Sequence, residues 1–225
     1  MSVEVKSARS YRSPAREEQA RHTRRAIVDA AHRLFLADGF ATTTIPRVAA
    51  DAGVSVQTVY KAFGNKALLA KAVFDVAIAG DHDEAPVVDR ERLQRVRSEK
   101  DPGRMMELYG DFLAQVAPHH VPMQLVVRDA AATHPDAAAL WAELQAERLA
   151  GMTRFAADLA RAGSLRQGVT RTHARDVLWT YNSAEIFQLL VLERRWSPRR
   201  YGAWVAAALT SALLPPAYQH KELPQ

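Results

Sequence analysis

Residues 51–69 read DAGVSVQTVYKAFGNKALL, and this stretch decides how the first third of the chain is interpreted. Gly53 permits the positive φ of a tight turn, and Ser55 can cap a helix that buries Val59 and Phe63. Helices of about two turns are marginal on their own, so they must pack as a unit. The stretch therefore predicts two short helices held at a fixed angle by a glycine turn, which is the helix-turn-helix arrangement.

Helical periodicity continues on both sides of this turn. Upstream, apolar residues at i, i+3, i+4, i+7 and i+8 predict a helix that starts at Thr23 and ends at Gly39. The hydroxyls of residues 42–44 offer an N-cap for the next helix, and a fourth helix is expected from about Asn65. Residues 1–20 are polar with scattered arginines, which indicates a disordered basic arm.

Composition limits the class of protein. The chain has 225 residues and is 48% hydrophobic, enough for a substantial core. It has no cysteine, which excludes disulfides, thiolate chemistry and cysteine-ligated zinc. There is no apolar run of about 18 residues and no apolar signal segment at the start, so we expect no membrane partner and a cytoplasmic location.

The positive charge is unevenly distributed. Residues 1–66 carry eleven Lys and Arg against six Asp and Glu, whereas residues 67–225 carry nineteen of each. The whole excess of five positive charges therefore lies in the first third. A basic module joined to a neutral one indicates a polyanion partner for that module, although a solubilising basic tail would show the same charge.

The rest of the chain predicts an all-α fold. Residues 80–103 are rich in charge, Gly and Pro and read as a long connection. Thr172 is expected to cap the fourth of the helices that follow, and Ser197 with Pro198 the fifth. The predicted helices are Met105–Val116, Val121–Ala132, Asp136–Gly163, His173–Arg195 and Pro198–Leu214.

The outer face of the third helix carries unusual side chains for a solvated surface. Val56, Gln57, Tyr60 and Lys61 lie on the side opposite the buried residues. Gln pairs with adenine, a Val methyl meets a thymine methyl, and Lys reaches guanine or phosphate. This face therefore favours DNA readout over a plain solvated face, the alternative being that the valine and tyrosine are partly core.

The first third also resembles a known family. The residues that carry the resemblance span positions 23–70, namely Gly39-Phe40, Thr43-Thr44-Ile45, Val48-Ala49, Ala52-Gly53-Val54-Ser55, Val59-Tyr60, Phe63 and Lys66-x-x-Leu69. They are similar to the N-terminal signature of TetR-type transcriptional repressors. The resemblance implies an all-α homodimer with an N-terminal helix-turn-helix DNA-binding domain (residues 21–66). A C-terminal helical domain (residues 67–225) would bind a small ligand and dimerise.

The resemblance also implies roles for single residues. Thr44 and Lys66 would hold phosphates at either end of the motif, and Tyr60 would touch the DNA backbone. The residues expected to face bases are Val56, Gln57 and Lys61, and the predicted DNA-binding set is completed by Arg47 and Thr58. The family often has other residues at 56, 57 and 61, so the operator sequence does not follow from the resemblance.

Two further sets are predicted in the C-terminal part. An apolar or aromatic effector is expected among large side chains on neighbouring helices, although the same residues could be ordinary core; they are Tyr109, Phe112, Trp141, Trp179, Asn182 and Phe187. The last two helices are expected to form the homodimer, with interface residues Glu185, Leu189, Leu192, Trp204 and Ala208.

The sequence gives little support to catalysis. His119 and His120 are adjacent, so on a helix they point about 100° apart, and neither has a histidine or carboxylate four residues away. No nucleotide-binding or nucleophile motif occurs. We therefore expect no enzyme, no cofactor and no metal. A helical interaction protein that does not read DNA is the alternative, but it would not explain the basic first third.

Overall fold

The computed structural model describes residues 14–79 and 91–218, and throughout these ranges the regular structure is helical, which confirms the all-α fold. The helices are α1 (Pro14–Thr42), α2 (Ile45–Asp51), α3 (Val56–Phe63), α4 (Lys66–Ala79), α5 (Glu91–Ser98), α6 (Pro102–Ala131), α7 (Pro135–Arg161), α8 (Arg171–Tyr181), α9 (Ala184–Phe187) and α10 (Pro198–Leu213). A π-helical segment, Gln188–Glu193, continues α9, and a 3₁₀ turn covers Pro216–Tyr218.

The helix-turn-helix forms as its local signals predict. The Thr44 hydroxyl accepts from the backbone amide of the third residue of α2, and the Ser55 hydroxyl accepts from that of Thr58 at 3.1 Å. Gly53 takes a φ of 66° in the turn between α2 and α3. Gly39, at φ 82° and ψ 170°, interrupts the helical backbone near the end of α1. Capping chemistry therefore determines where these helices begin and end.

The start of α1 differs from the prediction. The helix begins at Pro14 instead of Thr23, so residues 14–20 are helical and not part of an arm, while residues 1–13 lie outside the described residues. Glu17 lies in the first turn, where a negative charge complements the helix dipole, and Glu18 pairs with Arg21 one turn later. These polar interactions extend the helix without any apolar periodicity.

Helix α6 is continuous where the sequence predicts two helices. It runs through Pro118 and Pro122, and the predicted break between Val116 and Val121 is wrong. An interior proline costs about 3 kcal/mol in an isolated helix. Here α6 is the central element and packs against α1, α4, α5, α7 and α10, so burial on several sides offsets that cost.

The sequence predicts one continuous helix over His173–Arg195, but the structure divides it. Asn182 leaves the helical conformation at φ −92° and ψ 24°. Ser183 then caps the short helix α9 by accepting from the amide of Ile186 at 3.3 Å. An Asn-Ser pair offers local hydrogen bonds that compete with helix continuation.

The caps of α8 and α10 can be compared directly. Thr170, and not Thr172, caps α8 by accepting from the amide of His173 at 3.1 Å. Ser197 caps α10 as predicted, accepting from the amide of Arg200 at 3.2 Å. The sequence thus predicts correctly that a hydroxyl caps each of these helices, but it selects the wrong threonine for α8.

Helices α6 and α10 cross at two glycines. A Cβ on Gly202 would lie 2.2 Å from the carbonyl oxygen of Gly110, and a Cβ on Gly110 would lie 2.4 Å from that of Gly202. Both glycines are therefore required for this close approach, which holds α10 against the central helix.

Two apolar clusters fill the described part of the chain. One joins α1–α4 to α6 and α7, so that Leu69 and Val73 of α4 pack with Met123 and Val127 of α6. The other lies among α5–α10. The helix-turn-helix is thus packed onto the C-terminal helices through α4. Among the described helices, none combines the length and the apolar character needed to cross a bilayer.

Candidate nucleic-acid interface and ligand cavity

The outer face of α3 is exposed as predicted. Val56 is 38% and Tyr60 50% exposed, and Gln57 and Lys61 are also exposed, whereas Val59 on the inner face is fully buried. Neither Val56 nor Tyr60 therefore belongs to the buried core. Contact of this face with DNA remains a prediction.

Two predicted contact residues belong to the caps. The Thr58 hydroxyl lies 2.8 Å from the Ser55 hydroxyl and is half-buried, and the Thr44 hydroxyl accepts from the amide of Arg47 at 3.4 Å. The Arg47 guanidinium lies 2.9 Å from Asp38, with about half of the side chain exposed. These three residues therefore shape the motif, whether or not they also contact DNA.

Lys66 has a structural role that the sequence does not predict. Its ammonium donates to the carbonyl oxygens of Phe40 at 2.8 Å and Ala41 at 3.4 Å, and lies 4.4 Å from the centre of the Phe40 ring. Burial lowers the pKa of Lys66. The ammonium thus fastens the start of α4 to the end of α1, and its predicted phosphate contact remains a prediction.

Arg24 makes a matching contact at the other side of the motif. Its guanidinium donates to the carbonyl of Ala62 at 3.2 Å and lies 4.3 Å from the centre of the Phe63 ring. A cation at the last carbonyls of a helix is favourable because of the helix dipole. Arg24 therefore holds the C-terminal end of α3. Nothing in the sequence singles it out, because the contact spans 38 residues.

A cavity of about 230 Å³ lies among α4, α5, α6, α7 and the end of α8. Its lining is mainly apolar, with polar groups at a few points. The lining residues are Phe74, Ile78, Leu93, Val96, Arg97, Tyr109, Phe112, Leu113, Val116, His120, Gln124, Leu144, Glu147, Arg148, Gly151, Met152, Arg154, Phe155, Asp158 and Asn182. Because α4 supplies Phe74 and Ile78, the cavity directly adjoins the helix that follows α3.

Three of the six predicted ligand residues line this cavity. Tyr109, Phe112 and Asn182 line it, whereas Trp141, Trp179 and Phe187 do not. The last three are therefore withdrawn from the candidate ligand residues.

Each of the three withdrawn side chains packs elsewhere. Trp141 lies against the N-terminal apolar cluster, and Trp179 lies beneath the Arg148 guanidinium at 4.3 Å. Phe187 is 1% exposed and meets Tyr201 edge to face, with ring centres 5.3 Å apart. Helical periodicity correctly marks these aromatics as buried, but it cannot tell a filled core from a cavity wall.

His120 is a cavity residue that the sequence reasoning set aside. Its Nδ1 lies 2.9 Å from the carbonyl oxygen of Val116. Burial lowers the pKa of His120 to about 4, so the ring is neutral near pH 7. A carbonyl only accepts, so Nδ1 carries the hydrogen and Nε2 keeps a free lone pair. The ring also meets Phe74 of α4 edge to face at 5.6 Å.

Gln124 lies one helical turn beyond His120 and lines the same cavity. It is only 3% exposed. Within residues 14–79 and 91–218 its side-chain amide makes no hydrogen bond. Buried amides are normally paired, because leaving one unpaired costs free energy. The spacing of His120 and Gln124 is visible in the sequence, but their common orientation towards a cavity is not.

Tyr109 and Asn182 are already bonded to each other. The Asn182 amide donates to the Tyr109 hydroxyl at 2.5 Å, and that hydroxyl donates to the sulfur of Met152 at 3.5 Å. Burial raises the pKa of Tyr109, so the phenol stays protonated. The Asn182 side chain therefore ties α8 to α6.

The charged residues of the lining are also mostly paired. Arg148 donates to the backbone carbonyls of Trp179 and Asn182, where it caps the end of α8. Glu147 lies 3.2 Å from Lys71 of α4.

At another part of the wall, Asp158 lies 2.9 Å from Arg161 and 3.8 Å from Arg97. These pairs reduce the net charge that a bound molecule would meet.

The predicted dimer residues are accessible to different extents. Leu189 is 51% and Leu192 38% exposed, both on the π-helical segment. Trp204 is half-buried, with its ring centre 5.5 Å from that of Tyr181.

Among the remaining predicted dimer residues, Glu185 lies 3.5 Å from Arg128, and Ala208 is half-buried. The two leucines thus leave an apolar surface open, and its role in a dimer remains a prediction.

No group of three histidines, aspartates or glutamates is placed to hold a metal ion within the described ranges.

In a comparison with known proteins, sequence similarity is found in the helix-turn-helix region. Residues 27–73 match the family model described as bacterial regulatory proteins, tetR family. The HTH-type transcriptional regulator TtgR of Pseudomonas putida is 42% identical over 59 residues, which are 26% of this chain and 28% of that protein. The probable HTH-type transcriptional regulator ArpR, also of Pseudomonas putida, matches with the same figures. The chain therefore spans little more than a quarter of these relatives' length in the matched region.

Solved structures are similar over most of the chain. A SmeT–triclosan complex superposes with a TM-score of 0.62 at 20% identity, covering 90% of this chain and 99% of that one. NalD of Pseudomonas aeruginosa, the secondary repressor of the MexAB-OprM multidrug efflux pump, gives 0.66 at 19% identity, with coverages of 88% and 99%. FadR of Bacillus subtilis in complex with stearoyl-CoA gives 0.65 at 17% identity, with coverages of 83% and 97%. At these identities the likeness concerns the fold.

Proposed function

This chain belongs to the TetR family of bacterial regulatory proteins, and we propose that it is a repressor that binds a palindromic operator as a homodimer and is released by a small apolar effector. The family consists of DNA-binding regulators and not of enzymes. In this proposal residues 21–66 form the DNA-binding domain, and residues 67–225 form the ligand-binding and dimerisation domain.

The observation that carries the DNA proposal is the division of α3 into two faces. Val59 is fully buried, whereas the opposite face exposes an amide, a phenol, an ammonium and a valine. Amide and ammonium groups can read base edges in the major groove, and a valine can meet a thymine methyl. Arg24 and Lys66 hold the surroundings of α3 in place, so this face is presented in a fixed orientation.

Selection of bound sequences from random DNA with the full chain tests this proposal. We expect a palindrome whose half-sites lie about 34–36 Å apart, or a multiple of the helical repeat, because a dimer presents two recognition helices. Gln57→Ala should cost about 1–3 kcal/mol at one base pair of each half-site. Gln115→Ala, at an exposed glutamine of α6, is the matched control. Unchanged specificity in Gln57→Ala would contradict readout by α3.

The observation that supports ligand response is the position of α4. At its N-terminus Lys66 bonds the end of α1 beside the helix-turn-helix, and further along Phe74 and Ile78 line the cavity. A molecule in the cavity would press on α4, and a shift of α4 would move α3 relative to its partner in a dimer. Coupling of this kind typically amounts to about 1–3 kcal/mol per effector.

The homodimer is supported by exposed leucines on the segment after α9. Leu189 and Leu192 lie beyond the apolar cluster of the C-terminal helices, where a second copy could cover them. Light scattering of the full chain at micromolar concentration tests this. We expect twice the monomer mass, and Leu189→Glu should shift it towards the monomer because it buries a charge in an apolar contact. A monomeric wild-type chain would contradict the dimer and the palindrome together.

A helical interaction protein without DNA readout is the second candidate. It would account for the exposed leucines, but not for an exposed amide and phenol on a helix whose C-terminal end Arg24 holds in place. Absence of any selected sequence in the DNA experiment would favour it.

A further inference from the structure

Two side chains on one face of α6 offer complementary hydrogen-bonding groups to the cavity. His120 and Gln124 are four residues apart, so their Cβ atoms lie about 5–6 Å from each other. Both line the cavity; Gln124 is buried and His120 is half-buried. The His120 ring has its Nδ1 engaged with Val116, which leaves Nε2 as an acceptor. Gln124 has an unpaired amide that can donate.

An acceptor beside a donor matches a hydroxyl group. A hydroxyl donates one hydrogen and accepts through its lone pairs, so it can satisfy the His120 lone pair and the Gln124 amide at once. The remaining wall is mostly apolar, with Phe74, Leu144 and Phe155 among its members. A bound molecule must therefore be apolar over most of its surface and carry its hydroxyl at one end.

We propose that the His120–Gln124 pair makes the cavity selective for uncharged aromatic or aliphatic molecules bearing a hydroxyl. This rests on the proposed function, in which the cavity holds the effector, and it names the class of that effector. The pair also gives such a molecule a contact that reaches α4, because His120 packs on Phe74 at 5.6 Å.

A negatively charged group is disfavoured next to this pair. A carboxylate would face the lone pair of His120 Nε2, which repels it. The guanidinium of Arg148 is engaged with two backbone carbonyls, and Glu147 is engaged with Lys71. These partners leave Arg148 and Glu147 poorly placed to compensate a buried ligand charge, which is costly when unpaired.

Calorimetric titration of the full chain with three probes of one shape tests the proposal. The probes are 2-naphthol, 2-methylnaphthalene and 2-naphthoate at pH 7.5, which differ only in a hydroxyl, a methyl or a carboxylate. We expect 2-naphthol to bind at least about tenfold more tightly than either of the others, because a site that pairs a hydroxyl rejects analogues lacking it. Equal affinity of 2-naphthol and 2-methylnaphthalene, or no binding of any probe, would overturn the proposal.

Two variants test whether His120 and Gln124 cause the preference for 2-naphthol. Gln124→Met removes the amide at similar volume, and His120→Phe keeps an aromatic ring but removes the acceptor in the cavity. Each should reduce 2-naphthol affinity by about tenfold while changing that of 2-methylnaphthalene by less than about threefold. Gln115→Met is the control and should retain the full preference. A preference that survives in both cavity variants overturns the assignment.

Thermal stability separates a ligand role from a structural one. Because the Gln124 amide has no partner, Gln124→Met should leave the melting temperature of the free protein unchanged or raise it. A fall would mean that the amide holds the fold, and would overturn the assignment.

Operator selection measured without ligand separates a failure of the regulator proposal from a failure of the proposed ligand class. If the full chain selects an operator but shows no preference for 2-naphthol, the regulator proposal stands and the ligand class falls. If it selects no operator but prefers 2-naphthol, the ligand class stands and the regulator proposal falls.

Discussion

The recognition surface and the cavity are built in opposite ways. The exposed face of α3 comes from a single run of eight residues, Val56–Phe63, and its inner and outer sides follow from one helical period. The cavity takes residues from Phe74 to Asn182, contributed by four helices and the residue that follows α8. A surface made by one helix can be derived from spacing alone, whereas a cavity depends on how distant helices happen to meet.

Polar groups behave differently in the two regions as well. Beside α3, Arg24 and Lys66 are bonded to backbone carbonyls, so they hold the structure. In the cavity the amide of Gln124 has no partner in the described part of the chain. The cations beside α3 thus have partners within the fold, whereas the amide of Gln124 can bond a molecule in the cavity.

The largest expected effect comes from two phenylalanines that the sequence treats alike. Phe187→Ala should cost about 3–5 kcal/mol, because it empties a site in the packed core. Phe112→Ala should cost about 1–2 kcal/mol and alter ligand binding, because one side of Phe112 already faces the cavity. Urea unfolding together with calorimetric titration of 2-naphthol measures both. Equal losses of stability would mean that Phe112 is packed as tightly as Phe187 and does not border an empty cavity.

A pH effect should mark the cavity and not the recognition surface. In the unfolded chain the His120 imidazole binds a proton below about pH 6.5, but in the folded chain only below about 4. Stability is therefore fully present above pH 6.5 and is lost as the pH falls towards 4, by up to about 3 kcal/mol from this group. Electrostatic repulsion from His119 also lowers the pKa of His120.

Unfolding measured across this pH range in wild type and His120→Asn checks the contribution of the imidazole. The variant should lose less stability on acidification. A variant as steep as wild type would assign the loss to other groups.

Two lysines near the recognition surface should separate anchoring from DNA contact. Lys66→Ala should lower stability by about 1.5–3 kcal/mol, because two backbone carbonyls lose a charged donor. Lys61→Ala, at an exposed ammonium, should leave stability within about 0.5 kcal/mol but reduce the salt slope of DNA binding by about 1. Thermal unfolding and operator titrations at several salt concentrations distinguish them. If Lys66→Ala changes only the salt slope, its role is the phosphate contact and not the anchor.

Two glycines sharpen the contrast between a close helix crossing and a cavity wall. Gly202→Ala should cost about 1–3 kcal/mol, because its Cβ would clash with the Gly110 carbonyl on α6. Gly151→Ala should instead stabilise by about 0.5–1 kcal/mol, because Gly151 lies within α7, lines the cavity and has open space at its Cβ. Comparing the two melting temperatures tests this. A loss at Gly151 would show that the wall there is already filled.

Helix continuity shows where sequence reasoning stopped. Pro118 and Pro122 signal a break that does not occur, because α6 is packed by neighbours on several sides. Residues 173–195 are predicted as one helix, yet the chain divides at Asn182 and Ser183. Local propensity is outweighed by tertiary packing in the first case, and local side-chain hydrogen bonds end the helix in the second.

The sequence by itself determined the local features of the protein: the glycine turn, the hydroxyl caps at Thr44, Ser55 and Ser197, and the two faces of α3. These depend on interactions within a few residues, so spacing and residue type are sufficient. Only the tertiary structure decided which buried side chains face one another and which face a void. Trp179 and Phe112 have the same helical spacing signal, but one is covered by Arg148 and the other borders the cavity. Periodicity reports which side of a helix is turned inwards, whereas the packing of separate helices determines what lies there.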